Sequence, residues 1–173
     1  MTTINSSSSP SAVSNYDTES AQRALHDLIY EVKTAVLGST NRSGAPDASY
    51  APYVVDGDGN LLIYISALAK HTGNIKLTRT VSVMVIEDEA SAATLYARKR
   101  ATWTCEVDTV ERDTEAFDAY MDLFRVRFGE VIDGLSQMKD FTLFQLKPTT
   151  GRLVLGFGAA FKLNGWKVDD QVS

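Results

Sequence analysis

Two apolar runs, Tyr50 to Val55 and Leu61 to Ser66, flank Asp56-Gly57-Asp58-Gly59-Asn60, and this arrangement narrows the possible folds more than any other stretch of the chain. Asp-Gly steps supply the positive φ that a tight turn demands, so the runs are expected to pair as an antiparallel hairpin. The pattern recurs. Thr34 to Thr40 has strand-like content and ends in Asn41-Arg42-Ser43-Gly44-Ala45-Pro46, where Gly and Pro make a hairpin loop. Thr80 to Ile86 is a strand by its Val, Met and Ile content. Arg98 to Val110 has a period of two: Ala101, Trp103, Cys105 and Val107 share one face, Thr102, Thr104 and Glu106 the other. Phe141 to Leu146 and Arg152 to Phe157 are expected as two more strands around a turn at Pro148 to Gly151.

The helical period occurs in two places. Leu25, Leu28, Ile29 and Val32 form a stripe within Ala21 to Val32. Asp113 is expected to cap a second helix, where Phe117, Tyr120, Met121, Phe124 and Phe128 form a core stripe and Gly129 closes after Arg125 and Arg127 meet the negative end of the dipole. Six or so strands joined mostly by hairpins, with helices inserted at intervals, imply a mainly β, α+β chain: a six-stranded antiparallel barrel with helices outside. Gly156-Phe157-Gly158-Ala159-Ala160-Phe161 lacks the last glycine of a dinucleotide fingerprint and has no βαβ unit, so its glycines read as strand residues allowing close backbone approach.

The chain of 173 residues suits one domain, placed at 21–165, between a Ser/Thr/Asn-rich tail at 1–20 that reads as disordered and a short C-terminal tail at 166–173. A formal charge of -5 argues against broad attraction to nucleic acid or anionic membrane, so an anion site must be a local patch. Cys105 is the single cysteine, which excludes an internal disulfide and argues against a thiolate metal site; a reducing cytoplasm is the expected home. The N-terminus lacks the basic start and apolar centre of a signal peptide, and no apolar run approaches the ~18 residues of a membrane span.

The chemistry concentrates where the hairpin ends, in Ser66-Ala67-Leu68-Ala69-Lys70-His71-Thr72-Gly73-Asn74. A strand should stop there and a short helix begin, leaving unpaired backbone N–H groups beside two hydroxyls, an ammonium, an imidazole and an amide. Ser66, Lys70, His71, Thr72 and Asn74 therefore read as a cradle for phosphate or carboxylate; the plain alternative is a polar loop capping an ordinary helix. Lys70 and Asn74, four residues apart, share a helix face and can reach one anion. In Arg98-Lys99-Arg100, alternation sends both arginines to one face as a second anion clamp, against the alternative of a strand edge guarded by charge.

Other constellations carry less. Asp56, Asp58 and Asn60 copy the first ligand positions of a calcium loop, but Leu61 stands where glycine is needed. Glu87-Asp88-Glu89 reads as a solvated turn, His26 as a structural residue, and no metal site is expected. With two histidines and no Gly-x-Ser-x-Gly elbow, hydrolytic triads find no support.

Several stretches carry a resemblance: Tyr50-Ala-Pro-Tyr53, Ser66 through Asn74, Ile86-Glu-Asp-Glu89, Tyr96-Ala-Arg-Lys-Arg100, Val110-Glu-Arg-Asp113, Phe128-Gly-Glu-Val-Ile-Asp-Gly-Leu-Ser136, Asp140-Phe141 and Gly156-Phe-Gly158. From about Leu25 to Gly165 the chain resembles the heme-utilisation HutZ/HugZ family, within the FMN-binding split barrels related to pyridoxamine 5'-phosphate oxidase. The resemblance implies a homodimer of six-stranded split barrels with cofactor sites at the interface. In flavin-binding relatives the segment matching Ser66, Lys70, Thr72 and Asn74 holds the FMN phosphate. In the heme branch the same interface takes up heme, an arginine best matched by Arg100 polarises oxygen at the iron, and heme is degraded with release of iron. The branch's supporting aspartate corresponds to Asp133 or Asp140, and its iron ligand is a C-terminal histidine, which Trp166 to Ser173 does not contain. The leading expectation is thus a heme-degrading oxidoreductase. The alternatives are an FMN-dependent oxidoreductase and a non-catalytic heme store or carrier.

Overall fold

The computed structural model describes residues 16–172, so the expected N-terminal tail lies outside the described residues up to Asn15. The first helix starts earlier than its apolar stripe suggests. In α1 (Thr18–Glu31) Asp17 and Ser20 form a reciprocal capping box, each side chain accepting the other's backbone N–H, at 2.7 and 3.0 Å. Its buried face, Ala21, Leu25, Leu28 and Ile29, packs on the barrel core.

The strands follow as β1 (Thr34–Thr40), β2 (Pro46–Val55), β3 (Leu61–Ser66), β4 (Thr80–Ile86), β5 (Arg100–Val110), β6 (Phe141–Gly156), β7 (Ala159–Asn164) and β8 (Lys167–Gln171). Helix α2 (Lys70–Thr78) joins β3 to β4, and α3 (Glu115–Phe128) with α4 (Val131–Ser136) joins β5 to β6. The order β3-β2-β1-β4-β5-β6 closes on itself through β3–β6 pairing, which makes a six-stranded antiparallel barrel; β7 and β8 are added along the second half of β6. The expected barrel is therefore present with two further strands, one of them built from the stretch read as a tail.

Two cores explain the hydrophobic patterning. The barrel interior takes one face of each strand, including Leu37, Tyr53, Val83, Trp103 and Phe144. A second core lies outside the wall, where Phe117, Met121 and Phe124 of α3 and Ile132 of α4 cover Val54, Leu62, Tyr64 and Leu143. β3 is thus buried on both faces, which is why Leu61 to Ile65 is an unbroken apolar run instead of an alternation.

Three local expectations are corrected. Thr114, not Asp113, caps α3: its Oγ1 accepts the Phe117 N–H at 3.2 Å, while Asp113 sits in the turn before it with φ 62°. The two strands expected around Pro148 to Gly151 are one strand, β6, with a bulge opposite Trp103 and Cys105. A bulge tolerates proline and glycine as a turn does, and a Cβ on Gly151 would stand 2.3 Å from the Thr102 carbonyl oxygen. Gly156 ends β6, and Gly158, with φ 70°, belongs to the β6–β7 turn instead of a strand.

Candidate functional site

Ser66 ends β3 opposite Phe141, the first residue of β6, and this register sets Asp140 beside it. The Ala67 N–H donates to the Asp140 carbonyl at 2.8 Å, and the Ser66 hydroxyl donates to Asp140 Oδ2 at 2.6 Å. Leu68 N–H donates to the same Ser66 Oγ at 3.1 Å. The strand-to-helix turn of the predicted cradle is therefore present, with a carboxylate already seated on its hydroxyl.

The remaining predicted residues lie on α2. Thr72 is 1% exposed, and its hydroxyl donates to the Ser66 carbonyl at 2.6 Å, tying the helix start to the strand end. Asn74 donates its amide to the hydroxyl of Ser39, a buried residue of β1, at 3.1 Å. His71 is half-buried, and its Nε2 is sealed from solvent without a hydrogen-bond partner. Burial pushes the imidazole pKa below its usual value, with the Asp47 carboxylate pulling the other way. Lys70 is exposed at the first position of the helix.

Arg98 and Arg100 do not form the predicted pair on one strand face. Arg98 precedes β5 and turns onto the loop before it, donating Nε to the Glu87 carbonyl at 3.0 Å and Nη1 to Glu89 at 3.2 Å. Glu87 in turn accepts the Lys99 N–H at 2.6 Å. The acidic triplet read as a solvated turn therefore clasps the basic one. Arg100 opens β5, half-buried, and donates Nη1 to the Arg98 carbonyl at 3.0 Å; among the described residues no carboxylate pairs with it.

Strand register places these two groups at opposite ends of the barrel. Ser66 pairs with Phe141 at the start of β6, and Arg100 pairs with Val154 near its far end. Their β6 partners, Phe141 and Val154, are 13 positions apart, a strand path of roughly 43 Å. A cleft of about 730 Å³ between α1, α3 and the β2–β3 turn, with Tyr30, Val126 and Trp166 in its lining, contains none of the predicted residues. The Asp56 carboxylate in that turn is engaged in the turn's own hydrogen bonds, accepting from Asp58, Asn60 and Gln145.

One residue at the site was given no role in the sequence reading, although it stands in the Val110-Glu-Arg-Asp113 stretch. Arg112, before α3, donates to the Tyr64 hydroxyl and the Met138 carbonyl at 2.6 Å each, to Phe141 O at 3.1 Å and to Ser136 O at 3.2 Å. Its guanidinium also lies against the rings of Tyr64 and Phe117, 5.8 and 5.3 Å from their centroids. It holds the loop that carries Asp140. Of the two aspartates left open above, Asp140 thus lies at the cradle, whereas Asp133, on α4, pairs with Arg125 at 3.0 Å.

The family described as pyridoxamine 5'-phosphate oxidase matches residues 21–155. The chain is 44% identical over 141 residues to the heme oxygenase HutZ of Vibrio cholerae serotype O1, a match covering 82% of this chain and 80% of HutZ. A crystal structure of Vibrio cholerae HutZ, described there as a heme storage protein, superposes with a TM-score of 0.74 at 39% identity, covering 78% of this chain and 96% of the other. Campylobacter jejuni ChuZ superposes with a TM-score of 0.84 at 32% identity, over 93% of this chain and 65% of ChuZ. The barrel, its closure and these likenesses lead to one conclusion: the chain belongs to the heme-utilisation family of HutZ and ChuZ within the pyridoxamine 5'-phosphate oxidase-like split barrels.

Proposed function

We propose that this chain takes up heme as a two-fold dimer, at a seam where Arg100 of one protomer faces the α2 end of its partner, and opens the macrocycle oxidatively with release of iron. The observation that carries the reading is Arg100 itself, a half-buried guanidinium with one carbonyl partner and, among the described residues, no carboxylate. A cation held this way keeps donors free for an oxygen of the ligand. The sheet supports a seam as well. Val36, Tyr50 and Met84 stand opposite one another across β1, β2 and β4 on an outer face that α3 and α4 do not cover, with Tyr50 69% exposed. Apolar surface of this kind is typical of contacts between copies.

Heme, as substrate, supplies the iron at which oxygen reacts. The chain's own groups bind and orient it: Arg100 donates to oxygen on one side of the ring, and exposed Lys70 is placed to meet a propionate from the partner's side. A second reading, storage without turnover, draws on His71, because the imidazole of the predicted site has its Nε2 sealed from solvent, where it is not offered to iron. Hemin titration followed by ascorbate under air separates the two. Decay of the Soret band with chelatable iron appearing supports turnover, and a Soret band that persists supports storage. Arg100→Ala should retain hemin uptake and lose the decay; decay at the wild-type rate would remove Arg100 from the reaction.

A further inference from the structure

We infer that Asp140 is a specificity determinant that closes the Ser66 cradle to phosphate monoesters. The residue types of that turn suit an external dianion, but the structure spends them internally. Ser66 gives its proton to Asp140 Oδ2 at 2.6 Å, a charge-assisted bond, and β3–β6 pairing fixes the two residues side by side. Thr72 gives its proton to the Ser66 carbonyl, and its N–H is turned to the Ala69 carbonyl at 3.1 Å. Asn74 is committed to Ser39, and the His71 Nε2 is sealed away. Of the side chains read as a cradle, only Lys70 is exposed with no partner among the described residues. A phosphate arriving at Ser66 would have to displace a carboxylate held through its own backbone carbonyl as well, or sit beside it with like charges a few ångströms apart.

The FMN phosphate therefore does not fit these residues as they stand, and the misfit traces to one charge. The inference does not depend on what the seam binds, because heme carries no phosphate and its test uses flavins. Asp140→Asn keeps the size of the side chain and an oxygen for the Ser66 proton while removing the charge. FMN and riboflavin, which differ by the phosphate, are titrated into the wild-type and Asp140→Asn chains and followed by flavin fluorescence. The expected result is wild-type FMN binding no tighter than riboflavin binding, and in Asp140→Asn at least a tenfold gain for FMN with riboflavin unchanged. Ser66→Ala in the Asp140→Asn background should cancel the gain. An equal gain for both flavins, no gain, or wild-type FMN binding that inorganic phosphate competes away would overturn the inference. Should Asp140→Asn fail to fold, the wild-type comparison decides: equal, phosphate-insensitive affinities support the inference, and FMN preference defeats it. Hemin titrated in parallel keeps failure of the heme reading separate, since that failure leaves the flavin comparison untouched.

Discussion

Replacing Arg112 by Met removes the clasp between barrel wall, α3 and the loop that carries Asp140, while keeping most of the aliphatic volume. The guanidinium donates to one hydroxyl and three carbonyls and lies against two aromatic rings. Each hydrogen bond to a charged group contributes ~1.5–3 kcal/mol, and each cation–π contact ~0.5–1 kcal/mol when partly exposed. The full sum is not lost. Arg112 is half-buried and the Met138 contact is at the surface, so some of the stranded carbonyls recover water. The Tyr64 hydroxyl, on a residue only 6% exposed, recovers least. A net loss of about 3 kcal/mol follows from roughly one to two uncompensated polar groups plus the ring contacts. Urea denaturation followed by tryptophan fluorescence measures it as a fall in midpoint at constant m-value. Lysine cannot present the same planar fork, so Arg112→Lys should recover less than half of the loss. A loss below about 1 kcal/mol for Arg112→Met would refute the clasp, because that is within reach of an ordinary surface change. So would full recovery by lysine.

At the bulge, Gly151→Ala places a Cβ against the Thr102 carbonyl and the Trp103 ring, neither of which can withdraw without opening β5–β6. It should cost about 3 kcal/mol or more, measured by thermal or urea unfolding; a neutral result would mean that the bulge relaxes. Burial pushes the Cys105 thiol pKa up to about 12, so the folded chain should not react with a thiol reagent at pH 8 and should react on unfolding. The His71 pKa is depressed in the fold, so the unfolded state binds more protons as pH falls through ~6.5, and stability declines below that value instead of above it. His71→Gln should flatten the fall between pH 7.5 and pH 5.5 in urea midpoints, and an unchanged slope would exclude His71 as its source. Tyr50→Asp, on the uncovered outer face of β2, should lower the solution mass to that of one protomer with unchanged circular dichroism and should weaken hemin uptake. Retained dimer mass would move the seam elsewhere.

Period and turn chemistry made most of the barrel legible. The alternation over Ala101 to Val107 matches the burial of β5 residue by residue, and the Asp-Gly turn marks the β2–β3 hairpin. Errors arose where one local signal has two structural meanings. Pro148 and Gly151 are turn residues in sequence but serve a bulge, because the strand on the far side needs the space a side chain would fill. Asp113 and Thr114 are both good caps, and chain geometry before α3 selected the second. A barrel was expected, but which two strands close it was not legible, for a different reason. β3 and β6 are brought together by a bond such as Ser66 to Asp140, 74 positions apart, and nothing local in either strand encodes that pairing. The cradle shows the same division. Its residue types were readable, whereas whether each donor is free or spent is decided by partners on other elements, namely Asp140, Ser39 and the Ser66 carbonyl.

Closure also bears on why the proposed heme site draws on a second copy. A six-stranded barrel whose interior is filled by Tyr53, Trp103 and Phe144 leaves no room for a macrocycle inside, and α3 with α4 already covers the outer wall over β3 and the start of β6. In the proposed site the groups that meet an anionic planar ligand lie at the two barrel ends, Lys70 at one and Arg100 at the other, their strand partners on β6 13 positions apart. In the dimer we propose, a two-fold axis that lays the uncovered β2-β1-β4 faces together would set the Arg100 end of one barrel beside the α2 end of its partner, and would do so twice. That proposal implies two equivalent sites per dimer, each needing both chains. Hemin uptake should accordingly saturate at one heme per protomer while depending on the integrity of the pair.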